Sequence, residues 1–174
     1  PKQDNTTAAR YLDRRGGDGG YMGIVQLDGF DAQRERMADL GIRIAFEAST
    51  PGIRGLHLHP ADVGGAILSL DEADPPESWP WAGPDWAYHS SAAVTAMTAA
   101  EIQADDPDVL AARWATILDR PAVDCTIACD DAVIRFVEAT DGRGDGLAAI
   151  DLAVTDRDRV GETRAIGGVR FNLV

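Results

Sequence analysis

A near-repeat of eight residues constrains this chain more than any other feature. Ala66-Ile67-Leu68-Ser69-Leu70-Asp71-Glu72-Ala73 aligns with Ala132-Val133-Ile134-Arg135-Phe136-Val137-Glu138-Ala139, and six of the eight positions are identical or similar in character. Each octet is strand-like and closes a longer pattern of one strand, one helix and further strands. A supersecondary unit that occurs twice implies a fold built by stacking copies rather than around a single irregular core.

The first copy occupies residues 21–73. Tyr21–Leu27 is strand-like, and Asp28-Gly29-Phe30-Asp31 supplies turn residues before a short helix, with Asp31 read as its N-cap. Met37 and Leu40 mark the apolar side of that helix, and Gly41 ends it. Strands are expected at Ile42–Ala48, Ile53–His59 and Ala66–Asp71, giving βαβββ. The second copy lies in residues 92–174. Val94–Ala104 is strand-like, Asp106-Pro107-Asp108 opens a helix, and Leu110, Trp114, Ile117 and Leu118 fall on one helical face. Strands follow around Val123–Ala128 and Ala132–Val137. Leu147–Thr155, either an irregular third start or a segment that merely closes the second module, leads through a short charged segment to a closing strand at Val169–Val174. The fold class expected is α+β: tandem βαβββ modules forming a curved mixed sheet around a cavity, with helices outside.

Residues 1–20 are polar and read as a connection, since such a segment buries no core of its own. The chain begins at Pro1 without an initiator Met, which fits an N-terminal portion removed or left out. Residues 74–91 form a Pro- and Trp-rich linker in which Trp79, Trp81 and Trp86 either stack on a ligand or, more simply, anchor the crossover to the sheet. His89, beside Tyr88, reads as incidental.

A net charge of −13 argues against nucleic acid, which needs clustered Lys and Arg. No apolar run approaches the roughly 20 residues of a membrane span, and no signal peptide is visible, so the expected location is the cytoplasm. Cys125 and Cys129, four apart in a strand, would stand roughly 13 Å apart at ~3.3 Å per residue. A disulfide tolerates less than about 7 Å, so both read as free thiols.

Paired βαβββ units with His59-Pro60-Ala61-Asp62-Val63-Gly64-Gly65 before the last strand of the first resemble the vicinal-oxygen-chelate superfamily, the glyoxalase, bleomycin-resistance and methylmalonyl-coenzyme A epimerase group. The stretch Tyr21–Ala73 carries the resemblance most closely; the rest matches by pattern. It implies a cavity that in active members holds a divalent ion such as Zn²⁺, Mn²⁺, Co²⁺ or Ni²⁺. Such an ion polarises the carbonyl of a small carbonyl or thioester substrate and supports proton abstraction in a lyase or isomerase reaction. Carried onto this chain, the ligand positions fall on Met22 and Ser69 in the first unit, near Ala99 and on Arg135 in the second. Ala has no donor atom, Arg cannot ligate a cation, and Met and Ser suit these ions poorly.

Three readings stay open: ligands supplied by a module upstream of Pro1, an organic ligand bound without metal, or a metal site built elsewhere. For the last, His57 and His59 are the candidates, since His-X-His on a strand sets both imidazoles on one face about 6–7 Å apart. Met22, Gln26 and Ser69 are ligand-pocket candidates on the first unit's inner face, where Asp71 also falls. Glu101 and Arg135 are the counterparts on the second, Arg135 as a clamp for a carboxylate or phosphate. Glu72 and Glu138 read as solvent-facing. Gly142-Arg143-Gly144-Asp145-Gly146 reads as a flexible turn without the strand-before, helix-after context of a phosphate loop. The functional expectation is a glyoxalase-like lyase or isomerase, or a non-catalytic protein of the same fold that sequesters a small molecule. A homodimer is expected if the paired sheet closes only between two chains.

Overall fold

A computed structural model of the chain describes residues 6–88 and 91–174, so His89 lies outside the described residues. Two compact units are present: Met22–Ser91, and Pro1–Tyr21 with Ala92–Val174. The fold is α+β: among the described residues four α-helices lie outside two mixed sheets of four and seven strands, neither closed into a barrel. Among the described residues no helix is long and apolar enough to cross a membrane.

In the Met22–Ser91 unit the elements are β1 (Met22–Gln26), α2 (Phe30–Asp39), β2 (Ile44–Thr50), β3 (Ile53–Leu58), α3 (Pro60–Val63) and β4 (Ile67–Ala73), following α1 (Thr7–Arg15) in the other unit. The sheet order is β1-β4-β3-β2. β1 runs parallel to β4 from Met22↔Ile67 to Gln26↔Asp71, and the other neighbours are antiparallel. Alternation sends Leu56, Leu58, Leu68 and Leu70 to one side, where all four are fully buried together with Phe30 and Met37 of α2. That layer holds the module together.

Asp31 is not the N-cap of α2. The cap is Gly29 at φ 76°, which has no side chain to bond the first turn. Glu72 of β4 supplies the carboxylate instead: its Oε1 accepts the Gly29 and Phe30 N–H groups at 2.8 and 3.1 Å. Glu72 is therefore not simply solvent-facing, and Arg54 holds its other oxygen at 2.5 Å while its guanidinium lies over the Phe30 ring. The Arg54 hydrogen bond, then the two helix N–H groups, keep the Glu72 carboxyl below its ordinary range. A strand residue caps the helix that crosses its own sheet, a partner no local pattern reveals.

The second unit repeats the order. β5 (Val94–Ala104), α4 (Pro107–Leu118), β6 (Ala122–Val123), β7 (Thr126–Ala128) and β8 (Val133–Glu138) pair as β5-β8-β7-β6, with β5 parallel to β8. β6 and β7 are separated by a tight turn at Asp124 and Cys125, with φ of 48° and 54°, so Cys125 is a hairpin-turn residue rather than a strand residue. Both cysteines are free. Beyond the repeat, β9 (Gly146–Val154) pairs antiparallel with β5, and β10 (Thr163–Ile166) and β11 (Val169–Leu173) extend the sheet, β11 parallel to β9. Between β9 and β10 a 3₁₀ turn at Arg157–Arg159 stands where the helix of a third unit would be.

Helix α1 lies within the polar segment read as a connection. Thr6 caps it through its side chain, Gly16 at φ 68° ends it, and Ala9, Tyr11 and Arg15 are buried. Arg15 is enclosed between glycines: a Cβ at Gly19 or Gly146 would collide with its guanidinium.

Candidate functional site

The four-stranded sheet has one face packed under α2 and one face that carries the candidate residues. Residues paired directly across strands share a face, which places Met22, Ile24 and Gln26 of β1 beside Ile67, Ser69 and Asp71 of β4, then Gly55 and His57 of β3, then Phe46 of β2. Ser69 and Asp71 are fully buried. The Ser69 hydroxyl donates to Asp71 Oδ1, and Asp71 Oδ2 has no hydrogen-bond partner among the described residues. Burial pushes the Asp71 carboxyl above its ordinary range, against the smaller lowering effects of the Ser69 hydrogen bond and of nearby His57.

Trp81 covers this carboxyl. A Cβ on Gly55 would come within 2.7 Å of Trp81 Cη2 and 2.8 Å of Asp71 Oδ1, so the glycine makes room for both. The indole N–H donates to Thr50 Oγ1 at 3.1 Å, and Trp79 packs edge-on at 6.1 Å between ring centroids. The crossover tryptophan is thus anchored on the sheet, over its most polar buried point. Gly55→Ala is expected to lift the indole, seen as increased acrylamide quenching of tryptophan emission; unchanged quenching would mean that the carboxyl, not the ring, yields.

The expected site residues fall in several settings. Gln26 is exposed and donates through Nε2 to the Pro76 carbonyl at 2.6 Å, tying β1 to the crossover. Met22 is half-buried at the start of β1. His57 stacks at a tilt on Phe46, 5.3 Å between centroids. His59 lies past the end of β3 and caps α3, its Nδ1 accepting the Ala61 N–H at 3.2 Å. Among the described residues no group of three or more His, Cys, Asp or Glu is placed to hold a metal ion.

Glu101 and Arg135 come together on the seven-stranded sheet, opposite one another across β5 and β8. Arg135 bonds Asp151 Oδ2 at 2.8 Å and lies 3.8 Å from Glu101, whose other oxygen takes Arg170. Asn172 donates to Asp151 Oδ1 at 2.8 Å. Burial raises the Asp151 carboxyl, but the Asn172 and Arg135 hydrogen bonds outweigh it and hold the group below its ordinary range. Each charge in this network has a partner, so Arg135 is not an idle clamp. Asp151, Asn172 and Arg170 escaped sequence reading because they meet the network only through the β5–β9–β11 pairing.

The residues at the metal positions that the resemblance implies do not fit a cation. The Ser69 hydroxyl is spent on Asp71, Ala99 is a buried methyl, and Arg135 is a cation itself. The residue that sequence reading undervalued is Asp71, although the Ser-X-Asp alternation already put it on the face of Ser69.

No protein-family model matches the sequence, and no curated protein matches it. The chain is similar in structure to a solved structure described as a hypothetical protein from Staphylococcus aureus, with a TM-score of 0.61 at 10% identity. The likeness covers 87% of this chain and 64% of that one, so the chain spans about two thirds of its neighbour's length, and at this identity the likeness is one of fold.

Proposed function

We propose that this chain is a glyoxalase-like protein of the vicinal-oxygen-chelate type whose polar sheet face in Met22–Ser91 binds a small carbonyl-bearing molecule without a metal. The observation that carries the reading is the buried Ser69–Asp71 pair, with one carboxyl oxygen unpartnered, at a position where the resemblance puts a metal ligand. Burial raises the Asp71 carboxyl and so favours its protonated form, which is a hydrogen-bond donor. A neutral Asp71 would offer a carbonyl oxygen a fixed hydrogen-bond donor where the ion elsewhere in the superfamily offers a positive charge. Trp81 supplies apolar surface near it, and His57, stacked on Phe46, a second polar group on the same sheet face. The repeated βαβββ order, with first and fourth strands parallel in both copies, supports the family resemblance. Two free cysteines accord with a cytoplasmic setting.

Elemental analysis and tryptophan fluorescence test this together. Purified protein is expected to hold substoichiometric divalent metal. Titration with small 2-oxo acids and thioesters is expected to change Trp81 emission, with Asp71→Ala weakening the response about tenfold or more and Asp71→Asn, which keeps a donor, much less. Stoichiometric Zn, Mn, Co or Ni lost on chelation along with ligand binding would overturn the metal-free reading and favour the lyase or isomerase.

A further inference from the structure

We propose that Arg15 is the receptor for an oxyanion, a carboxylate or phosphate group that docks on its guanidinium when the glycine segment covering it swings aside. This goes beyond the ligand reading, concerns the other unit and does not rest on that reading.

Arg15 ends α1 and is 6% exposed. Its Nη1 donates to the Asp145 carbonyl at 2.5 Å and to the Arg143 carbonyl at 3.5 Å. Nε and Nη2 are buried and have no hydrogen-bond partner among the described residues. Those two N–H groups lie along one edge of the guanidinium and point the same way, matching two oxygens of a carboxylate or phosphate. Arg43, Arg54 and Arg143 each turn that edge onto a carboxylate, of Asp62, Glu72 and Asp141. Arg15 turns it onto nothing.

A guanidinium cannot shed its charge. Burying one with two idle donors destabilises the fold, and the partners it does have, two main-chain carbonyls and the Tyr11 ring 5.7 Å from Cζ, carry no opposing charge. A local arrangement that costs stability without a compensating contact is what a binding site looks like before its guest arrives.

The cover over this edge is glycine. A Cβ on Gly19 would stand 2.6 Å from Nε and 3.0 Å from the Tyr11 hydroxyl oxygen, and one on Gly146 would stand 3.1 Å from Nη2. Gly19 belongs to Gly16-Gly17-Asp18-Gly19-Gly20, and Gly146 closes Gly142-Arg143-Gly144-Asp145-Gly146. Backbone this rich in glycine rotates with little steric penalty. Once the Gly19 peptide moves, Nε, Nη2 and the Tyr11 hydroxyl, which donates to the Gly20 carbonyl, face one space. The charge there suits an anion although the chain carries −13: burial raises the Tyr11 hydroxyl, and the positive charges of Arg15, Arg143 and Arg14 oppose the rise.

Thermal melting of the whole chain tests this, with inorganic phosphate or acetate replacing chloride at constant ionic strength. One or both anions are expected to raise the wild-type midpoint by about 5 °C or more at a hundredfold excess over Kd. A response to phosphate marks a phosphoryl group as the guest, and a response to acetate alone marks a carboxylate. Arg15→Met fills the space without charge and is expected to lose the shift. Arg15→Lys keeps the charge but not the paired donors, and is expected to bind about tenfold or more weakly. As a readout that needs no variant to fold, the Arg15 Nε–H resonance of the wild type is expected to move saturably with the anion. A wild type that responds no more than Arg15→Met, a lysine variant that binds as tightly as wild type, or an Nε–H signal that stays in place would each overturn the proposal.

Discussion

Replacing Trp114 with alanine is expected to destabilise the unit built on the seven-stranded sheet by about 3–5 kcal/mol, the usual cost of emptying a large buried aromatic site. Trp114 is 1% exposed on α4 and meets Phe136 of β8 edge-on, 5.5 Å between ring centroids. Leu110, Ala111 and Ile117 flank it on the same helical face and are buried with it. The void would sit between the helix and the sheet, where neither side can collapse without breaking the β5–β8 ladder. A loss of this size is a large share of the 5–15 kcal/mol that typically holds a domain together. Chemical denaturation followed by far-UV circular dichroism measures it directly. Trp114→Phe keeps a ring against Phe136 and is expected to lose less than half as much. An alanine variant within about 1 kcal/mol of wild type would mean that α4 does not clamp this sheet.

The α4 face was legible in the sequence because a helix records its burial at fixed spacing, and Leu110, Trp114 and Ile117 carry that spacing in one short segment. Strand β5 was legible for a similar reason, as Val94–Ala104 is a long β-compatible run bounded by polar turns. The duplicated octet marked β4 and β8, whose equivalent partners are β1 and β5. Other features depend on residues far apart in the chain. Glu72 caps α2 from 43 positions away, and Asp151 reaches Arg135 only after β9 has paired with β5. Helix α1 was obscured by its charge, since Arg10, Asp13, Arg14 and Arg15 mask the few apolar positions, Ala9 and Tyr11, that it buries. At the candidate site, Gln26 and Ser69 were placed by strand alternation alone. What alternation could not supply was that Trp81, from the linker, closes over Asp71. That contact is written in Gly55, whose missing side chain is visible in the sequence but acquires meaning only once its neighbours are known.

Asp71→Asn is expected to make the protein more stable relative to wild type as pH rises, and the sign follows from the direction of the Asp71 shift. Burial holds its pKa in the folded protein above its ordinary value, so the native state keeps a proton that the unfolded chain releases. The favourable contribution of the protonated side chain is fully present below the unfolded value and is lost as pH rises through the folded one. Above that point the wild type must either bury a carboxylate whose Oδ2 has no partner among the described residues or open the sheet to water. An unsatisfied buried polar group costs on the order of 1–3 kcal/mol, and more when charged. Asparagine keeps the acceptor for Ser69 and cannot ionise, so its stability carries no such slope. The difference in melting temperature between variant and wild type should therefore be constant in acid, climb through the titration of Asp71 and level off above it. At roughly 2–4 °C per kcal/mol for a chain of this size, a climb of several degrees is expected. Ser69→Ala should move the whole climb to higher pH, because it removes the one hydrogen bond that stabilises the ionised form. Parallel melting profiles across the entire range would show that Asp71 is ionised and solvated in the folded protein, and the neutral donor that the proposed ligand recognition requires would be lost with it.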